Sequence, residues 1–216
     1  MTWRDRLGEL PIEQRNLIEG GGLSQRFSKM PLGITHPALI GAFYGILITL
    51  TLLLPLGENS NWQKNWVRDW AWIGVWIILL NAIVSHISLL VAGILRRPPV
   101  SLPRSIVYPM PFLGLILFTI ILITDLENNL PDPLILPAQY FSLMLLLIPG
   151  PIYVHMTWAP RWRLLCKLED NLDPFEGEIY TPKKTKLEDL QSDADFDSAI
   201  ESIEKEPPLI NQNEEE

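Results

Sequence analysis

Residues 143–163 read LMLLLIPGPIYVHMTWAPRWR, with Pro149, Gly150 and Pro151 set inside a run that otherwise has the length and polarity of a membrane-spanning helix. Whether a helix continues through that break decides how often the chain crosses a membrane, and so where its two ends lie. Prolines at 149 and 151 have no N–H to offer the carbonyls of Leu145 and Leu147, and Gly150 lets the backbone bend. The expectation is a kinked but continuous span, with Pro149, Gly150 and Pro151 as the kink. Leu143 to Ile148 is wholly apolar, so donors for the freed carbonyls must come from water or from other helices, and Asn81 and Ser85 of the second span are the nearest by helical rise. Such a bend directs His155 and Trp158 toward the cytosolic interface. An unwound binding site of the kind found in transporters is the alternative.

Three other runs meet the requirement of about 20 apolar residues for a helix that crosses about 30 Å of hydrocarbon. The four spans are expected at about 37–56, 70–95, 105–124 and 134–158, with Pro109 and Pro111 bending the entrance of the third. Lys and Arg in short connections are retained on the cytoplasmic side. Arg4, Arg6, Arg15, Arg26 and Lys29 precede the first span, Arg96, Arg97 and Arg104 separate the second from the third, and Arg161, Arg163 and Lys167 follow the fourth. The other two connections hold only Lys64 and Arg68. Four crossings with both termini in the cytoplasm satisfy this distribution, whereas three would put one basic cluster on the wrong side. The fold class is therefore an all-α membrane protein, four transmembrane helices in a bundle, N-in and C-in.

Charge divides the chain more sharply than its formal net of −8 suggests. From Glu169 onward there are 16 acidic residues against four lysines, a net of −12, and the remainder carries 13 basic and nine acidic residues, a net of +4. That asymmetry describes a membrane body with a solvated appendage. We divide it into a cytosolic N-terminal segment (1–34), a four-helix transmembrane domain (35–165) and an acidic cytosolic tail (166–216). The tail has the composition of a disordered segment. Within it Leu187, Leu190, Phe196, Ile200 and Ile203 form a loose helical stripe ended by Pro207 and Pro208, suited to folding against a protein partner. A merely solvating tail is the alternative. Acidity also excludes nucleic acid as a partner, since phosphate binding needs a basic face.

The first thirty residues have no apolar core of a signal peptide and too many acids for a transit peptide, so the first span is its own insertion signal. This segment reads either as a short interfacial helix, broken by Pro11 and released by Gly20 to Gly22, or as a disordered or loosely docked stretch of chain. Trp62, Trp66 and Trp70 recur every four residues, one aromatic face on a short helix at the outer boundary, and Trp158 and Trp162 bracket the inner end of span four as interface anchors.

Helices in lipid associate through small residues and polar seams. Gly41 and Gly45, one turn apart, supply the first; Gly74, Asn81, Ser85, Ser88 and Ala92 fall along one line of span two and supply the second. Asn81 is expected to find a partner across the interface. Of three histidines, His36 caps span one ahead of Pro37, His155 lies at the inner end of span four, and His86 sits nine residues in from Leu95, roughly 13 Å deeper. By depth only His36 and His155 pair, as axial ligands of a haem would; His86 alone could be the fifth ligand of a chlorophyll magnesium. Headgroup and interhelical hydrogen bonds account for the same residues, and no cofactor is required.

No hydrolase elbow, phosphate loop, dinucleotide fingerprint or zinc helix occurs, Cys166 is alone, and no Asp, Glu, Lys or Arg lies inside the spans as drawn. Small, Trp-rich and tailed by acid, the chain resembles accessory proteins of bacterial and thylakoid membranes, though no motif carries residues across. The expectation is a non-enzymatic accessory of a bacterial inner membrane or thylakoid membrane. It would contact membrane lipid and assist a larger complex through its tail. A haem or chlorophyll protein and a small transporter are the alternatives.

Overall fold

A computed structural model of the chain describes residues 3–20, 23–124 and 132–178. The tail stripe from Leu187 to Ile203 lies outside them. Among the described residues there is no strand, and four helices are long and apolar enough to cross a membrane, Pro37–Asn59, Trp66–Leu95, Ser105–Ile123 and Leu134–Glu169.

The first span opens where the sequence gives a helix its strongest start signal. His36 Nδ1 accepts from the Ala38 N–H at 3.2 Å, and Pro37 occupies the first helical position, where a missing N–H costs nothing. Helix α4 (Pro37–Thr51) follows three short helices, α1 (Trp3–Glu9), α2 (Ile12–Glu19) and α3 (Leu23–Phe27). It continues into α5 (Leu53–Asn59) through a joint at Leu52, because Pro55 has no N–H for the carbonyl of Thr51. Helix α6 (Trp66–Leu95) ends at Arg96, whose backbone turns left-handed (φ 46°) while its N–H bonds the Ala92 carbonyl.

Asn61 and Trp62 also have left-handed φ values, 50° and 54°. Trp62 therefore sits in the turn before α6 and not on a helix, which corrects the expected helical triplet: only Trp66 and Trp70 share one. Trp62 still meets Trp66 edge to face, centroids 4.9 Å apart.

Helices α4 and α6 pack antiparallel along small residues. A Cβ at Gly41 would overlap Ser85 Oγ, one at Gly45 would lie 2.8 Å from Ile78 Cα, and one at Gly74 would overlap Thr49. Buried residues of α6 are Gly74, Asn81, Ser85, Ser88 and Ala92. Asn81 Nδ2 donates to the Ile77 carbonyl of its own helix at 2.8 Å. Its Oδ1 and Ser85 Oγ are buried with no hydrogen-bond partner among the described residues. Helices α7 (Arg104–Val107) and α8 (Pro109–Ile123) form the third span, with Tyr108 between them, and α8 packs on α9 (Asp132–Leu147). The small residue there is Gly114, where a Cβ would stand 2.6 Å from the Leu146 nitrogen.

Helix four is interrupted at Ile148, with helical backbone angles retained (φ −75°, ψ −34°), and resumes as α10 (Pro149–Tyr153). One π turn (Val154–Trp158) leads into α11 (Ala159–Glu169). Asn81 and Ser85 do not serve the bend, and the donor that stands there reaches a carbonyl between the two that the prolines free. Tyr44 Oη donates to the Leu146 carbonyl at 2.7 Å, and its ring lies where a Cβ of Gly150 would be. Asn81 and Ser85 are packed against Gly41 of α4 instead.

Outward faces of the spans are apolar, as at Phe43, Ile83, Phe112 and Phe141, each more than half exposed. At the far end of helix four α1, α2 and residues 170–178 fold onto α11 around Leu7, Ile18, Leu32, Trp158, Leu164, Leu165, Leu168 and Phe175. We call this the terminal cap. The N-terminal segment is thus docked as three short helices. Chain that the sequence assigns to the tail is packed as far as Glu178.

Candidate functional site

Helix α11 presents Arg161, Leu164, Leu165 and Leu168 on its buried side, in line with Trp158 just before it. These positions are three or four apart, one stripe of an α-helix, so Arg161 is carried into the cap by the same periodicity that buries its neighbours. Trp158 is 0% exposed and donates from Nε1 to the Thr35 carbonyl at 2.7 Å, which makes it a core residue and not an interface anchor. Trp162 donates to the Leu32 carbonyl at 3.0 Å.

Arg161 is 2% exposed. Nε donates to the Leu17 carbonyl at 3.1 Å, and Nη1 donates to Ser24 Oγ at 3.1 Å and to the Thr157 carbonyl at 3.3 Å. Leu17 lies in the last turn of α2, whose carbonyls lack helical donors and whose dipole favours a cation. Gly20 completes the arrangement: its φ of 62° is left-handed, and a Cβ there would stand 2.5 Å from the guanidinium carbon. Among the described residues no carboxylate lies within ion-pair distance of Arg161, and Nη2 makes no hydrogen bond.

The guanidinium lines a cavity of about 110 Å³ with Ser24, Ser101, Tyr108, Tyr153 and Thr157. Ser24, Thr157 and Arg161 are buried, and Ser101 and Tyr108 are exposed at its rim. Ser24 Oγ and Tyr153 Oη are 2.8 Å apart. One wall is made by the π turn. The Val100 N–H donates to the Met156 carbonyl at 2.9 Å, and Thr157 Oγ1 donates to the Val100 carbonyl at 2.7 Å. The proline-rich connection between spans two and three is thereby tied to helix four. A π turn is the local device that aims these groups sideways.

His36 stacks on His86 with centroids 5.7 Å apart and planes 29° from parallel, and Trp162 meets its ring edge-on at 4.9 Å. Pairing by depth with His155 is corrected here. Gly41 lies opposite Ser85, so α6 runs nearly two turns beyond the start of α4, and His86 lies within about one turn of His36 in depth, close enough for the rings to meet. Burial, and next the charge of His86, hold the pKa of His36 below its ordinary value. His86 is exposed, and His155 is half-buried in the π turn. No group of three or more His, Cys, Asp or Glu residues suited to a metal occurs among the described residues.

At the base of the cap Glu178, its side chain 3% exposed, receives Arg163 at 2.8 and 2.5 Å and Lys167 at 2.7 Å. Arg6 reaches the Leu168 carbonyl at 3.0 Å and Asn171 at 3.2 Å. Read as sequence, Arg161, Arg163 and Lys167 count only as charges that orient the spans, and neither Tyr44 nor Gly114 stands out. The stripe from Trp158 to Leu168 is the signal that could have placed Arg161 inside. No protein-family model, no curated protein and no solved structure matches this chain.

Proposed function

We propose that this chain is a non-enzymatic accessory protein of a bacterial inner membrane or a thylakoid membrane. Its four apolar helices form a bundle with both termini on the cytoplasmic side. It assists the assembly or organisation of a larger membrane complex through its acidic segment beyond residue 178. The observation that carries this reading is the terminal cap. Its interior ties the N-terminal helices to helix four, and two basic residues grip Glu178, the last described residue before the acidic segment. A fixed exit point suits a tail that engages a partner, because anchoring lowers the ordering cost of binding. The basic residues Arg6, Arg96, Arg161 and Arg163 all belong to the cap end, which agrees with that end being cytoplasmic.

Crosslinking of the full-length chain in its native membrane, followed by mass spectrometry, tests the role. A discrete partner complex should be captured and should disappear when the chain is truncated after Thr181, with the membrane body still present. Equal capture by the truncated chain would refute a tail-borne role. Reporter fusions after Ser60 should be external and fusions at Glu216 internal. The purified protein should be colourless; a Soret band lost in His36→Ala and His86→Ala would replace this reading with a cofactor role.

A further inference from the structure

The polar cavity under Arg161 does not end at its rim. It shares Val107, Tyr108 and Tyr153 with an apolar groove of about 620 Å³ that runs between spans one, three and four, past Ile48, Phe112, Leu115 and Leu146. One surface therefore joins a buried guanidinium to a wall of hydrocarbon. The junction lies at Val107 and Tyr108, the beginning of the third span, which is the level of lipid headgroups in a membrane.

We propose that this surface binds one phospholipid, its phosphate against the Arg161 guanidinium and an acyl chain along the groove. Arg161 is a buried cation without a counter-ion among the described residues, which is costly, and the C-terminal dipole of α2 offsets only part of that cost. The fork of an arginine matches phosphate oxygens, and among the described residues Nη2 gives no hydrogen bond. Space is adequate, since a cavity of about 110 Å³ is several times the roughly 10–15 Å³ needed to admit one water by the same measure. A free phosphate would satisfy the arginine but leave the apolar continuation unused; a glycolipid would use the groove but leave the arginine unpaired. The proposal rests on the membrane setting alone. Its failure leaves the accessory role, which depends on the tail, standing.

The test uses the full-length chain in maltoside detergent, supplied with phosphatidylglycerol, with a galactosyl diacylglycerol that has no phosphate, or with inorganic phosphate. Native mass spectrometry should show one phosphatidylglycerol retained per chain, and about tenfold less retention of the galactolipid. Arg161→Gln should lower phosphatidylglycerol retention about tenfold or more, the loss expected when charge-assisted hydrogen bonds go. Because Arg161 also fastens α2, Ser101→Phe is the second variant. It blocks the exposed mouth without touching the Arg161 hydrogen bonds, and it should abolish retention with the near-UV spectrum of the cap tryptophans unchanged. Retention unaltered by Ser101→Phe, or equal retention of both lipids, would overturn the proposal. So would inorganic phosphate raising the unfolding temperature as far as phosphatidylglycerol does, which would assign the cavity to a free anion.

Discussion

Tyr44 places a single hydroxyl at the break in helix four. Its donor reaches the Leu146 carbonyl at 2.7 Å, between the Leu145 and Leu147 carbonyls that Pro149 and Pro151 leave without helical donors. Tyr44→Phe keeps the ring against Gly150 and removes only that bond. The variant should be about 1 kcal/mol less stable, measured as reversible unfolding in mixed micelles, because buried interhelical bonds in membranes contribute at that level. An unchanged midpoint would mean that water serves the carbonyl. His36 supports a pH prediction. As N-cap its Nδ1 must be unprotonated to accept from Ala38, and burial, with the nearby His86, lowers its pKa below 6.5. The unfolded chain then binds the proton more readily than the folded one. Stability from the neutral cap is fully present above about pH 6.5 and is lost as pH falls through the lowered value. His36→Asn retains a capping acceptor without titrating, so its unfolding temperature should fall less than that of the wild type between pH 7.5 and pH 5. Equal losses would assign the pH dependence to other groups.

At the scale of elements, close approach decides the packing of α4 on α6. Gly41→Ala should destabilise by about 1–3 kcal/mol, since its methyl would meet Ser85 Oγ and the Asn81 carbonyl, and neither can retreat in a close-packed interface. Gly8 has nothing within 4 Å of the place a methyl would take and is the matched control, expected to change little or to gain stability within α1. If Gly41→Ala proves as mild as Gly8→Ala, the helices are free to separate and the seam is not tight. Helix four combines two departures from regularity. The bend at Ile148 follows from prolines that are plain in the sequence. The π turn at Val154–Trp158 runs into Pro160, which has no N–H for the Met156 carbonyl, and that carbonyl and the Thr157 hydroxyl are taken up by Val100, a residue more than fifty positions away. Pro160 marks the place in the sequence, and tertiary pairing with Val100 supplies the partner that the sequence does not name.

For the whole molecule, the cap makes the boundary of the tail a matter of ion pairing and not of composition. Truncation after Thr181 should leave stability unchanged, whereas truncation after Asp173 removes Phe175 and Glu178 and leaves Arg163 and Lys167 half-buried without their carboxylate. The shorter chain should unfold at least 1 kcal/mol more easily, by the cost of an unpaired, largely buried charge discounted for partial exposure. Chemical unfolding of the two truncations side by side gives the answer, and coincident curves would mean that the Glu178 cluster is idle. Residue order alone accounts for the four apolar helices, the cap signal at His36 and Pro37, the small residues of α4 and α6, and the position of the bend. Each follows from hydropathy over about 20 residues or from the chemistry of proline and glycine, which act locally. Packing in three dimensions selects which histidine meets His36, and it makes Tyr44 the donor at the bend, Trp158 a core residue and Arg161 an inward-pointing one. Those outcomes depend on the register between helices, and one turn of sliding shifts a residue by about 5.4 Å and changes every partner. Charge counting makes Arg161 a cytosolic label because it weighs sign without direction; the helical stripe carries the direction, and the N-terminal helices that fold against it supply the partners.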